Sequence, residues 1–263
     1  MPWWLATAWT FGATFAFLFV YSVVVSLREG AQNDQVSAVL CQAIGYGLVL
    51  VALLRVHAPE LSVRRFVGLR PTALGFYLLG PALGLAATVP ANALHHVIVT
   101  RFPFDEPLRI VEVWGLATPP TRLMMALMIA VVGPIVEEVF FRGALFGGLR
   151  AREELARPTL HAVFVSSLLF TIVHVRWQSF APILLVGLLI AGLRVLSGSL
   201  VPAILAHVAF NAAGVAELVR GEELVPSPPL AIGGLALTAL LFGAAWWLGQ
   251  ATGSARNEQE VER

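Results

Sequence analysis

The chain has 263 residues, 58% of them hydrophobic and 13% charged, and its mean hydropathy is +0.80. Soluble domains carry roughly 25% charged residues, so an ordinary water-soluble domain is excluded. A formal net charge of +1 leaves no basic footprint for nucleic acid, and the one cysteine, Cys41, rules out an internal disulfide or a cysteine zinc site.

The apolar runs are long and continuous. A bilayer core of about 30 Å needs roughly 20 apolar residues per helix, whereas barrel strands alternate over about ten. The expected fold class is therefore all-α, a polytopic membrane bundle of about eight transmembrane helices. The first span, Trp3–Leu27, is uncharged, too long for a signal-peptide core and not preceded by basic residues. Trp3, Trp4 and Trp9 are expected near an interface. Further spans are expected at Val36–Leu54, which holds Cys41 as a packed thiol, then Thr72–Thr100, Leu123–Leu149, Thr159–Trp177, Phe180–Leu196, Leu200–Val219 and Leu230–Gly249. The sixth is the weakest, being short and containing Arg194. Pro59, Pro71, Pro158 and the Pro226–Pro229 stretch punctuate the connections. Residues 1–253 read as a single transmembrane domain with its motif-bearing core at about 122–220. The tail 254–263 is polar, carries three glutamates and reads as disordered.

All the basic residues are arginines, and their placement suggests an orientation. Eight spans put both termini on one side. That side holds Arg55, Arg64, Arg65, Arg70, Arg150, Arg152, Arg157, Arg194, Arg256 and Arg263. The other holds Arg28, Arg101, Arg109, Arg122, Arg176 and Arg220. The excess predicts cytoplasmic termini.

Charged groups inside a span are costly and default to functional hypotheses. The fourth span contains Pro134, then Glu137-Glu138-Val139-Phe140-Phe141-Arg142-Gly143. Glu138 and Arg142 are spaced i, i+4, within ion-pair reach on one helix face. Glu137 projects about 100° away, with no partner nearby in sequence. A Glu–Arg pair of this kind can also be purely structural. Pro134 removes a backbone donor and predicts a kink. The fifth span supplies Phe170 and His174 on one face, and the seventh supplies His207 and Asn211 on one face. Alone, the first is an interface histidine and the second pair is interhelical hydrogen bonding.

Depth joins the three motifs. At 1.5 Å per residue, Glu137 lies roughly 20 Å before Arg150, His174 roughly 22 Å after Pro158, and His207 roughly 13 Å after Gly198. All three references are on the terminus side, so the groups are expected to meet at similar depth and to be reached from there. A carboxylate and two imidazoles in a low-dielectric cavity can activate water or hold a metal such as zinc, with Glu137, His174 and His207 as ligands. Asn211 can donate to a developing oxyanion. Together these groups point to water-dependent hydrolysis of an acyl bond. His57, His95, His96 and His161 read as interfacial, Glu217 as solvated near a helix end, and Glu153 and Glu154 as part of a solvated segment.

The ordered set Glu137-Glu138-x-x-x-Arg142, Phe170-x-x-x-His174 and His207-x-x-x-Asn211 resembles the CAAX-processing type II prenyl protease and bacteriocin-processing (CPBP, formerly Abi) family. The likeness covers roughly Ala126 to Gly214, and Gly68-Leu69-Arg70 resembles a loop common in that family. What it implies is an eight-helix intramembrane endopeptidase with a cavity open to the cytoplasm, acting on a membrane-associated peptide or protein. By position, Glu137 and His174 would activate the attacking water, His207 and Asn211 would stabilise the oxyanion, and Arg142 would order the glutamates. Two other readings are a non-catalytic membrane immunity or scaffold protein of the same family, and a small transporter. The intact polar set favours the protease. The lack of repeat symmetry counts against the transporter.

Overall fold

The computed structural model describes residues 1–103, 109–151 and 155–254. Glu153, Glu154 and the polar tail beyond Ser254 lie outside the described residues. In hydrocarbon every backbone N–H and C=O must find a partner inside its own segment, and the apolar runs accordingly form helices. In chain order these are α1 (Trp3–Leu27), α2 (Gln35–His57), the single turn α3 (Val63–Phe66), α4 (Leu74–Arg101), α5 (Arg109–Leu116), α6 (Pro119–Arg150), α7 (Pro158–Ile172), α8 (Phe180–Ser197), α9 (Leu200–Arg220) and α10 (Pro228–Thr252). Among the described residues there is no strand. Large apolar side chains point outward, as with Phe15, Leu78 and Leu240, each at least 70% exposed. That pattern suits a lipid solvent. The all-α polytopic bundle expected from the sequence is observed.

Among the described residues, seven helices are long and apolar enough to cross a bilayer. The short one is α7, not α8. α7 has 15 residues, roughly 22 Å, because the chain leaves the helix at Val173 and Val175 adopts a left-handed φ of +63°. The expected weak point at Arg194 does not shorten α8. Its side chain is buried and lies over the Phe146 ring, 5.6 Å from the centroid.

The helices pack around two apolar clusters. One joins α1, α2, α6 and α7 through Ala6, Tyr46, Leu53, Phe140, Phe141 and Phe170. The other joins α4, α8, α9 and α10 through Phe76, Leu83, Ile190, Leu193, Ala203 and Ala245. In the second, α4 meets α9 backbone to backbone at Gly84, where a Cβ would stand 2.0 Å from the Ala206 carbonyl oxygen. Glycine at this position sets how closely α9 approaches.

Hydrogen bonds assign the helix ends. At one end the Met1 amine donates to the Gly148 carbonyl, Trp9 Nε1 to His57 Nε2, and the Leu200 amide to the Gly68 carbonyl. Ser199 Oγ donates there to the Arg70 carbonyl, so the Gly68–Arg70 loop anchors the start of α9. At the other end His95 pairs with Glu223 at 3.1 Å and Phe102 packs on Trp177.

Candidate active site

The motif helix α6 is not uniformly α-helical. Gly133–Glu138 is an α segment flanked by π-helical stretches, Met128–Val132 and Val139–Leu145. π-bulges inside α-helices occur frequently at functional sites. The first one lies immediately before Gly133 and Pro134, where a proline kink is expected. The Gly133 N–H reaches back to the Met128 carbonyl. Pro134 has no N–H to offer the Ile129 carbonyl, and that oxygen is bonded instead by Asn211 Nδ2 from α9 at 3.0 Å.

Glu138 and Arg142 form the expected pair. Arg142 Nη1 donates to Glu138 Oε1 at 2.8 Å, and both side chains are completely buried. Arg142 Nη2 also donates to the Gly187 carbonyl of α8 at 3.0 Å, and its guanidinium lies 4.3 Å from the Phe170 ring centroid. One arginine thus ties α6 to α7 and α8. Ser167 Oγ shares the Gly187 carbonyl at 3.0 Å.

His207 from α9 joins both glutamates. Its Nδ1 is 2.9 Å from Glu138 Oε1, and its Nε2 is 3.8 Å from Glu137 Oε2. A carboxylate only accepts, so Nδ1 carries a proton and Nε2 faces Glu137. His174 is fixed in the same way. Its Nδ1 is 2.7 Å from the Phe170 carbonyl, an acceptor only, so Nδ1–H donates and a neutral ring keeps its lone pair on Nε2. The Phe170 ring packs edge-on against both imidazoles, with centroids 4.6 Å from His174 and 5.6 Å from His207.

Among the described residues no group of three His, Cys, Asp or Glu side chains could hold a metal ion, so the expected ligand set Glu137, His174 and His207 is not gathered as one and no step below is routed through a metal. Glu137 Oε1 accepts from Gln42 Nε2 of α2 at 3.0 Å.

Gln42 is the site residue that sequence reasoning missed. Glu137 had no partner nearby in sequence, yet it has one from α2, 95 positions away. The available signal was Gln42 and Tyr46, one helical turn apart in an otherwise apolar span. One further expectation changes. Glu217 is half-buried and accepts from Asn92 Nδ2 at 2.9 Å. A cavity of about 540 Å³ beside Asn211 is lined by Ile129, Asn92, Glu217, Gly221 and Glu223.

Fold and site together define a polytopic helical membrane protein with a buried carboxylate–imidazole–arginine centre at the junction of its two apolar clusters. The family model described as Type II CAAX prenyl endopeptidase Rce1-like matches residues 119–213, the stretch that carries all three motifs. The match covers just over a third of the chain and makes this segment similar to that endopeptidase family. The apolar helices are those of an integral membrane protein. Searches of curated proteins and of solved structures returned no match.

Proposed function

We propose that the chain is an intramembrane endopeptidase in which Glu137 and His174 activate water and His207 and Asn211 stabilise the oxyanion. The observation that carries this reading is the unequal use of the adjacent glutamates. Glu138 Oε1 is gripped by Arg142 and His207 in complete burial, whereas Glu137 retains some exposure, with Oε2 facing His207 at 3.8 Å.

Glu137 accepts a proton from water as the oxygen attacks the scissile carbonyl carbon, with His174 Nε2 orienting the same water. Negative charge moves to the carbonyl oxygen. Asn211 keeps one amide hydrogen on Ile129 and has a second for the oxyanion. His207 donates from Nε2 when its ring carries a second proton, Nδ1–H remaining on Glu138. Collapse of the tetrahedral intermediate breaks the C–N bond, and the proton held by Glu137 passes to the leaving nitrogen.

The test compares new peptide termini in membranes expressing the wild type and Glu137→Ala. A set of membrane-protein cleavages present only with the wild type is expected. Identical terminal profiles, with both proteins folded, would replace this reading with the non-catalytic scaffold.

A further inference from the structure

We infer that Gln42, on a helix outside the segment matched by the family model, is a positioning residue that holds the Glu137 carboxylate in its working orientation. This rests on the proposed role of Glu137.

A glutamate side chain has three rotatable bonds, and a general base must be fixed within a fraction of an ångström to act on a bound water. Neighbours on α6 do not fix Glu137, because Arg142 is directed to Glu138 and Gly187. The Gln42 amide supplies the restraint: Nε2 donates to Oε1 at 3.0 Å, leaving Oε2 on the His207 side. An amide suits this task because it donates without carrying charge. An arginine or lysine at the same place would pair with Glu137 and oppose its protonation.

Gln42 is itself held. One turn along α2, Tyr46 is buried and packs against the Phe140 and Phe141 rings, with centroids 4.9 and 6.3 Å away. Val139 alone separates these two residues from the glutamates. Behind α2, Gly45 lets α1 approach so closely that a Cβ there would stand 2.4 Å from the Phe17 backbone nitrogen. The first two helices thus form a backing that presses one amide onto the active carboxylate. The charged and titratable groups around Glu137 are Glu138 and Arg142 on α6, Tyr46 on α2 and His207 on α9, with His174 of α7 against Phe170.

The test uses the full-length protein in lipid vesicles. Infrared difference spectra identify the Glu137 carboxyl band as the one lost in Glu137→Gln. In Gln42→Met, of similar size but without a donor, that band is expected to shift. Turnover of a peptide cleaved only by the wild type should fall roughly ten- to a hundredfold, the weight of a hydrogen bond to a charged group, with KM and melting temperature unchanged. Gln42→His, which returns an N–H, should recover part of the rate. In the Glu137→Gln background, Gln42→Met should add no further loss. An unmoved band, or a loss that multiplies in the double variant and follows melting temperature, overturns the positioning role and leaves the protease reading standing. Normal turnover by Glu137→Gln would overturn the proposed role of Glu137 on which this inference rests, whatever the band does.

Discussion

The side-chain amide of Asn211 donates to the main-chain carbonyl of Ile129, joining α9 to the π segment of α6. The bond is available because Pro134, five residues on, has no N–H to give that carbonyl. The proline of the motif helix therefore acts on the site through an absence.

Pro134→Ala tests this. Alanine restores a helical donor that competes for the Ile129 carbonyl, releasing Asn211. Stability should hold or rise, since alanine is the better helix former. Turnover should fall by about tenfold or more, as for a weakened oxyanion donor. A detergent melting curve and a cleavage rate on one preparation decide it; an unchanged rate would mean that Asn211 is held elsewhere.

Glu137→Gln and Glu138→Gln should fail differently. Removing the base should cost about 10²–10⁴-fold in rate and leave the fold intact. Glu138→Gln deprives Arg142 and His207 of their shared acceptor in full burial, and breaking a buried pair typically costs about 3–5 kcal/mol. Its effect should appear first in melting temperature. A well-folded but inactive Glu138→Gln beside an active Glu137→Gln would reverse the two roles.

Gly84→Ala should damage the site from a distance. The added Cβ meets the Ala206 carbonyl at 2.0 Å, next to His207, and must push α9 from α4. Overpacking of this kind costs about 1–3 kcal/mol. Loss of cleavage beyond that explained by melting temperature would locate the damage in the His207–Glu137 approach.

Asp34 caps α2 from outside the membrane span, accepting from the Val36 amide at 3.0 Å and Ser37 Oγ at 2.8 Å and pairing with Arg28. Burial pushes its carboxyl up, but Arg28, Ser37 and Val36 together hold it below its usual value. A folded-state value below the unfolded one gives stability that is present above the unfolded value, about 3.9, and lost as pH falls through the folded one. Asp34→Asn should therefore melt lower than the wild type at pH 7, by less than about 1 kcal/mol for so accessible a pair. The gap should close in acid below about pH 4; a gap of equal size at both pH values would assign the effect to the cap geometry alone.

We propose cytoplasmic termini on the arginine excess. Reporter fusions after Ala117 and at the C-terminus should report opposite sides, with the C-terminus cytoplasmic. A cytoplasmic Ala117 fusion would overturn the arginine argument.

The sequence by itself determined the class of fold and the pairing of Glu138 with Arg142. Apolar runs of fixed length must become helices in a bilayer, and i, i+4 spacing puts Glu138 with Arg142 whatever packs around them. Tertiary structure alone decided how Glu137 is held, where Asn211 docks and that Phe170 touches both imidazoles. Each depends on the rotation and closeness of helices distant in sequence, set by side-chain shape at contacts such as Gly84–Ala206 and Gly45–Phe17. A one-dimensional period gives the face of a helix, and the partner that face meets is fixed only when the whole bundle has packed.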